Sequence, residues 1–288
     1  MHRKHMLGAL CALAIPLALP LAATPLAAQQ NLGRDGTSWR WDGPMTSGGW
    51  FRLFSVNGPV HITASSDGNV HVRAEKRARE GGDPAAVHYA VVRDGNDLTV
   101  CAMWSDQATC EPTGMRNNQV HSSDGDRRQN VTVSFEIQVP TGARAQGSTI
   151  NGDMRIERVS SDVIARTVNG EVRVDQVGGQ VTARTVNGDA VITTRGGPVS
   201  AETVNGSVRA TMASQGNADM RFRAVNGTID ITGPSSLNAN VELSTVNGDI
   251  ESKYPLNFDR RRRHAEGVVG SGGPSLRAST VNGSISLR

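Results

Sequence analysis

A three-residue motif, Val-Asn-Gly or its variant Ile-Asn-Gly, recurs through the second half of this 288-residue chain. Its first four copies follow each other at intervals of 18 residues, the next two at intervals of 21, and the last after 35. Repetition at a period near 20 residues is typical of solenoids and other arrays, in which each repeat needs its neighbours to bury its apolar face. The repeated pairs begin at Asn151, Asn169, Asn187, Asn205, Asn226, Asn247 and Asn282.

Each repeat contains two short runs in which apolar residues alternate with polar ones. After the second motif, one run places Val172 and Val174 on the same side, and a second run does the same with Val181 and Ala183. Alternation with a period of two is the pattern of a β-strand with one buried face, and paired glycines mark the turn between the runs. No segment has a helical period of useful length, so the sequence predicts an all-β fold.

Two architectures fit this pattern: an antiparallel meander with Asn-Gly hairpin turns, and a β-solenoid whose equivalent residues stack from coil to coil. The residue before each asparagine is always Val or Ile. In a two-residue hairpin Val168 faces solvent, whereas at a solenoid corner it can turn inward and join a buried column. We therefore favour a β-solenoid-like stack of short two-strand coils, each about 18–21 residues long, and predict that these valines are buried.

The asparagines are predicted to be structural corners. Stacked side-chain amides can hydrogen-bond from coil to coil, and a glycine after each asparagine permits a backbone with positive φ. The same motif occurs once in the first half, as Asn57-Gly58, so the first coil begins near residue 50. A ligand-binding column of asparagines is the alternative, but turn chemistry by itself accounts for the dipeptide.

Residues 75–147 interrupt the repeat between the first and second coils, and we call this segment the excursion. It contains three strand-like runs, of which 131–139 alternates most regularly. We predict that it forms a small antiparallel sheet covering the N-terminal end of the stack, because an uncovered strand edge promotes aggregation. Cys101 and Cys110 lie within it, and in an exported chain such a pair predicts a disulfide that closes a short loop.

The first 28 residues have the composition of a secretory signal peptide. Arg3 and Lys4 precede an apolar run, and Ala27-Ala28 supplies small residues before a cleavage point. Because no later segment is apolar enough to cross a bilayer, the sequence predicts an exported protein, periplasmic or at the cell surface, with no transmembrane segment. The predicted divisions are a signal peptide at 1–28, a leader at 29–49, the first coil with the excursion at 50–147, and the repeat domain at 148–288.

Charge and aromatic content argue against a nucleic-acid function. The formal net charge of +3 falls to +1 when the two basic residues of the signal peptide are removed, and aromatic residues make up 4% of the chain. Nucleic-acid proteins usually carry a basic surface, and single strands are bound on stacked aromatic side chains. The partner is therefore sought among envelope components: an anionic glycan, a lipid head group or a protein.

An early Val-Asn-Gly coil, a long excursion ending in FEIQVPTGARAQGSTINGDMRI and a series of TVNG coils together resemble one bacterial family closely. This is the putative-adhesin family of β-strand repeats, a domain of unknown function, and the resemblance covers about residues 50–288. It implies a β-solenoid-like fold and an extracytoplasmic location, and it brings no catalytic residues. The insertion at 254–273 departs from the family's regular repeat.

Candidate catalytic and metal-binding groups are few. Asp153, Glu171 and Asp189 follow the glycines of three successive coils, but arginine columns beside them indicate a charge-balanced surface. His61 and His71 lie off the buried face near the first coil and lack the third ligand that zinc requires. With no nucleophile motif and no phosphate-binding loop, the sequence predicts a protein that is not an enzyme and needs no cofactor or metal.

Two features outside the regular repeat are candidate contact surfaces. Arg260, Arg261, Arg262 and Arg263 form the most concentrated charge in the chain, and their planar guanidinium groups suit phosphate or carboxylate ligands. The plainer interpretation is a flexible, solvated loop. The chain ends on a strand-like run at 284–288 without a cap, so we predict that this C-terminal edge is covered by the insertion or pairs with a second chain.

These features favour an exported, non-enzymatic binding or structural protein of the cell envelope, similar to an adhesin. One alternative is an accessory protein for envelope-stress sensing, which would need a membrane partner. Another is a β-solenoid carbohydrate-active enzyme, which the scattered carboxylates argue against.

Overall fold

The computed structural model describes residues 29–117 and 130–288, which are built almost entirely from β-strands. The predicted signal peptide at 1–28 lies outside them. The first ten strands are β1 (Gln29–Leu32), β2 (Ser38–Pro44), β3 (Trp50–Phe54), β4 (Val60–Ala64), β5 (Asn69–Ala78), β6 (His88–Asp94), β7 (Asp97–Met103), β8 (Thr109–Glu111), β9 (Gly114–Arg116) and β10 (Val131–Val139). A 3-10 turn at Pro84–Ala86 is the one helical element in the described ranges.

The remaining strands belong mainly to the repeat. They are β11 (Arg144–Ser148), β12 (Met154–Glu157), β13 (Val163–Arg166), β14 (Val172–Val177), β15 (Val181–Arg184), β16 (Ala190–Thr194), β17 (Val199–Glu202), β18 (Val208–Met212), β19 (Met220–Arg223) and β20 (Ile229–Thr232). The last six are β21 (Ala239–Asn247), β22 (Ile250–Ser252), β23 (Asn257–Phe258), β24 (His264–Val269), β25 (Ser275–Asn282) and β26 (Ile285–Leu287).

Two long sheets enclose the core. Sheet A has thirteen strands in the order β1-β6-β7-β3-β11-β13-β15-β17-β19-β25-β21-β24-β23. Sheet B has eleven strands in the order β2-β5-β10-β4-β12-β14-β16-β18-β20-β26-β22. From β11 to β22 the chain alternates between the sheets, so each coil supplies one strand to each sheet and winds around a core rich in small aliphatic side chains.

Neighbouring coils are stacked in parallel with equivalent residues side by side. Val163 of β13 lies opposite Val181 of β15, and Val172 of β14 lies opposite Ala190 of β16. A period of 18 residues returns the chain to the same register, so the inward-facing positions form buried columns. The predicted β-solenoid-like fold is confirmed, and these coils are not an antiparallel meander.

The excursion contains the predicted antiparallel strands, but it lengthens the two sheets instead of forming a separate cover. β10 pairs with β5 in antiparallel and with β4 in parallel orientation. β6 and β7 form an antiparallel pair, and β7 lies parallel to β3. The leader at 29–49 supplies β1 and β2, which are the end strands of the two sheets.

The predicted disulfide joins Cys101 in β7 to Cys110 in β8, with the two Cα atoms 5.8 Å apart. It ties the hairpin of β8 and β9 to sheet A, beside the buried side chains of Ala90 and Met103. In the ranges that the structure describes, no helix is long and apolar enough to span a membrane.

The last coils are not stacked in chain order. β25 lies between β19 and β21, and β26 lies between β20 and β22, so the coil of Asn282 is inside the stack. The prediction of an open C-terminal edge that pairs with a second chain is therefore wrong. Residues 253–274 give the chain enough length to turn back, and the shared Ser-Thr-Val-Asn-Gly sequence lets the final coil take the inner place in register.

The residues before the seven asparagines from Asn151 to Asn282 face solvent, so the prediction that they are buried is also wrong. Their exposed fractions lie between 37% and 55%, whereas the residues one position earlier, six threonines and Ala224, are 4–7% exposed. The alternation of β13 continues through the corner, so Ala165 and Thr167 point inward and Val168 points outward. Threonine is tolerated inside because its hydroxyl donates to a carbonyl of the neighbouring coil, as Thr167 does to Gly152 at 2.9 Å.

Candidate functional site

The eight corner asparagines form one continuous ladder along the stack. In each step the Nδ2 of one asparagine donates to the Oδ1 of the asparagine that precedes it in the stack, at 2.7–2.9 Å. Each interior amide thus uses its oxygen and one of its two N–H groups within the ladder, which is the structural role predicted for these corners. The spatial order is Asn57, Asn151, Asn169, Asn187, Asn205, Asn226, Asn282 and Asn247.

The glycine after each asparagine is packed against the preceding coil. Gly188 has a φ of +155°, and a methyl group placed on it would overlap the carbonyl oxygen of Gly170. That same oxygen accepts a hydrogen bond from the Oγ1 of Thr185 at 2.9 Å. The polar groups of the corner are therefore satisfied by neighbouring coils, and the turn needs glycine for both its conformation and its close packing.

The side chains before the asparagines form a continuous strip of apolar surface, which we call the aliphatic ridge. Coils spaced about 4.8 Å apart make the ridge roughly 29 Å long. Val268 is the only other large apolar side chain that the described ranges expose to a similar degree. In stack order the aliphatic ridge consists of Ile150, Val168, Val186, Val204, Val225, Val281 and Val246.

A row of outward-facing residues on sheet A runs beside the aliphatic ridge, two positions before each ridge residue. Arg166, Arg184 and Arg223 lie in this row, with Glu202 between the last two, and we call the three arginines the basic row. Arg184 Nε lies 3.3 Å from a carboxylate oxygen of Glu202. Within the described part of the chain, Arg166 and Arg223 have no carboxylate at ion-pair distance. A shallow groove lies between the basic row and the ridge around Val204.

The predicted acidic column is engaged within the stack. The Oδ1 of Asp153 accepts the N–H of Glu171 at 2.9 Å, and the Oδ1 of Asp189 accepts the N–H of Ser207 at 2.8 Å. Glu171 also pairs with Arg173 at 2.7 Å. Carboxylates directed at the backbone and at arginines suit a charge-balanced surface rather than acid–base catalysis, which needs a carboxylate free to exchange its proton.

His61 and His71 lie on the outer face of sheet B and are separated by β10. His61 Nδ1 is 2.9 Å from Glu136, whereas His71 is 2.5 Å from Asp42 and 3.1 Å from Asp67. The hydrogen bond to Asp42, with a smaller contribution from Asp67, raises the pKa of His71 above its ordinary value. Residues 29–117 and 130–288 contain no cluster of His, Cys, Asp and Glu arranged to hold a metal ion.

The arginine run at 260–263 forms a hydrogen-bonded turn at the end of the stack. The carbonyl oxygen of Arg262 accepts the N–H of Ile250 at 3.0 Å, and that of Arg263 accepts the N–H of Thr245 at 2.9 Å. Asp259 Oδ1 accepts the N–H of Arg263 at 2.7 Å and closes the turn. The insertion therefore contacts the backbone of β21 and β22, while the four arginine residues themselves are exposed.

Sequence reasoning missed a buried lysine, Lys76, near the other end of the stack. Lys76 is 3% exposed, and its Nζ donates to the carbonyl oxygens of Gly33 at 2.5 Å and Pro84 at 2.9 Å. Burial lowers the pKa of Lys76 to about 8. The contacts fasten the leader to sheet B and are structural. Every second residue of β5 points inward, and Lys76 is two positions after the buried Ala74. This alternation is the signal that could have located the buried lysine.

Comparisons with known proteins agree with the fold. The family model Toastrack DUF4097 matches residues 62–288. A search of curated proteins finds no significant match.

A search of solved structures finds chains that are similar to this one over most of their length, at low sequence identity and low TM-score. A putative adhesin from Bacteroides fragilis is 14% identical, with 88% of this chain and 99% of that one covered and a TM-score of 0.39. A putative cell adhesion protein from Clostridium sporogenes is 11% identical, with 87% and 98% covered and a TM-score of 0.35. A putative lipid binding protein from Parabacteroides distasonis is 10% identical, with 88% and 98% covered and a TM-score of 0.33.

Proposed function

We propose that this chain, which belongs to the toastrack family DUF4097, is an exported, non-enzymatic binding protein of the cell envelope, with its stack of coils acting as a rigid, adhesin-like scaffold. The aliphatic ridge carries this proposal. Seven half-exposed aliphatic side chains in one uninterrupted line are costly to keep in water, and contiguous apolar surface of this kind marks an interaction site.

Rigidity follows from the way the corners are built. The asparagine ladder, the threonine hydroxyls and the close glycine contacts fix each corner to the next coil. A ligand along the ridge would meet side chains already held in place, so little conformational entropy is lost on binding.

The carboxylates support binding over catalysis. A glycoside hydrolase usually needs two carboxyl groups flanking the bond that is cleaved, one of them with a raised pKa. Asp153 and Asp189 instead accept backbone N–H groups, and Glu171 pairs with Arg173. These contacts are those of a structural surface, and they do not place two carboxyl groups around a bond to be cleaved.

Export is supported by the signal-peptide pattern of residues 1–28 and by the disulfide between Cys101 and Cys110. Disulfides persist in oxidising compartments and are rare in the cytosol. The chain is accordingly assigned to the periplasm or the cell surface as part of the proposal.

The test is sedimentation of the purified protein with separated envelope fractions: inner membrane, outer membrane and cell wall. We expect saturable binding to at least one fraction, and no binding by the same protein after thermal unfolding. Absence of saturable binding to every fraction would contradict the proposal. So would the release of reducing ends from an acidic polysaccharide.

A further inference from the structure

We propose that the aliphatic ridge and the basic row together form a docking surface for anionic membrane lipid. This inference rests on the proposed function and names the partner of the same surface. Apolar side chains would enter the boundary between head groups and acyl chains, and the arginines would contact lipid phosphates.

The form of the ridge suits a lipid surface better than a second copy of this chain. The ridge is one side chain wide, runs along a corner of the stack, and offers on the order of 400 Å² of apolar surface, about half of what each partner buries in a stable protein interface. A straight, rigid line of side chains roughly 29 Å long can instead lie flat on a membrane with every member immersed.

The side chains of the ridge are also better suited to bind lipid than glycan. Its seven positions hold only valine and isoleucine. Sugar and nucleobase faces are commonly bound on aromatic rings, which the ridge lacks, whereas short aliphatic side chains mix with acyl chains at no polar cost.

The charge beside the ridge selects anionic head groups. Among the described residues, Arg166 and Arg223 have no carboxylate at ion-pair distance, whereas Arg184 pairs with Glu202. Arg221, on the same outer face, is exposed as well. A planar guanidinium matches phosphate geometry, and basic residues near an anionic leaflet gain affinity that salt weakens.

The other flank of the ridge does not oppose this contact. The asparagine ladder is neutral and its amides are paired with each other. Three carboxylates beyond it are held by the stack: Asp153 and Asp189 accept backbone N–H groups, Asp189 also pairs with Arg209, and Glu171 pairs with Arg173. The exposed Asp249 is in the last coil of the stack, two coils beyond that of Arg223.

The experiment is flotation of the protein from residue 29 to 288, without the apolar predicted signal peptide, with vesicles of phosphatidylglycerol and phosphatidylcholine in about equal amounts, compared with phosphatidylcholine alone. We expect binding to the anionic vesicles, and weaker binding at high salt. The ridge variant Val204→Thr with Val225→Thr keeps the β-branched shape and should weaken binding at least about fivefold. The basic-row variant Arg166→Gln with Arg223→Gln should weaken it by a similar factor and reduce its dependence on salt.

Matched controls carry the same changes elsewhere. Val191→Thr with Val268→Thr alters two outward-facing valines outside the ridge, and Arg40→Gln with Arg77→Gln removes two exposed charges at the far end of sheet B. Both should bind within about twofold of the unchanged protein. Thermal melting of each variant checks that it remains folded.

Several results would overturn the inference. A folded ridge variant with unchanged vesicle binding would do so. Loss of binding in Arg260→Gln with Arg261→Gln, but not in the ridge variant, would move the contact to the arginine turn. A ridge-dependent dimer in solution, or ridge-dependent binding to a soluble acidic glycan without vesicle binding, would identify a different partner. If vesicle binding fails while sedimentation with the cell wall persists, the proposed function stands and this inference falls.

Discussion

At the scale of single residues, each corner divides four tasks among four adjacent positions. Thr185 turns inward and donates its hydroxyl to the neighbouring coil, Val186 turns outward into the aliphatic ridge, and Asn187 extends the ladder. Gly188 then allows the backbone to pass close to the carbonyl of Gly170. Because these tasks are structural at three positions, the valine is the one member left available for an external partner.

The glycine requirement yields a stability prediction. Gly188→Ala must adopt a strained backbone and displace a carbonyl oxygen, so the free energy of unfolding should fall by about 2–4 kcal/mol. The control is Gly68→Ala, where no atom lies near the added methyl group. Denaturant unfolding of both variants provides the measurement. A loss below about 0.5 kcal/mol for Gly188→Ala would contradict the packing described at the corner.

His71 provides a prediction of pH dependence. Its pKa is raised from the ordinary value of 6.5, chiefly by the hydrogen bond to Asp42, so the folded state holds its proton more tightly than the unfolded state. The resulting stability is fully present below 6.5 and is lost as the pH rises through the folded pKa. NMR titration of the imidazole should show the raised pKa, and Asp42→Asn should return it towards 6.5. An unchanged titration curve in Asp42→Asn would refute the assignment.

At the scale of elements, the repeat could be predicted because its signals are local. Period-two alternation, the Asn-Gly pairs and the cysteine spacing were sufficient for the coils, the corners and the disulfide. The prediction that Val168 is buried rested on the cost of exposing a column of valines. It failed because Thr167 takes the inward position, with its hydroxyl bonded to the carbonyl of Gly152, a contact that the sequence alone does not reveal. The position of β26 was missed because coils with the same STVNG sequence fit equally well beside one another, so chain order does not determine stack order.

The inner position of β25 and β26 predicts the effect of removing them. Ending the chain at residue 274 takes out two central strands and separates β21 and β22 from the rest of the stack. We expect the coil of Asn247 and the arginine turn to lose their protection against hydrogen exchange. Retention of native exchange protection at 239–252 in the shortened chain would show that the final coil lies at the end instead.

At the scale of the whole molecule, strands from outside the repeat extend both sheets at one end of the stack and one sheet at the other. β1, β2 and the excursion lengthen both sheets at the first end, whereas β23 and β24 lengthen sheet A at the second, where sheet B ends on the three-residue strand β22. Short or covered edges suppress end-to-end association. The surface left for recognition is therefore lateral, and the aliphatic ridge is its most extended apolar part.

Thiol labelling along the corner tests this account most directly. The variants Val168→Cys, Val204→Cys and Val225→Cys should each react with a maleimide in the native state at nearly the rate of the unfolded chain, while Thr203→Cys should be strongly protected. The labelled protein begins at residue 29, so Cys11 is absent, and the native disulfide between Cys101 and Cys110 does not react, so the added thiol reports alone. Fast labelling at all three valine positions with protection at 203 is the predicted result. Protection of the valine positions with fast labelling at 203 would mean that the corner turns the other way and that no aliphatic ridge exists.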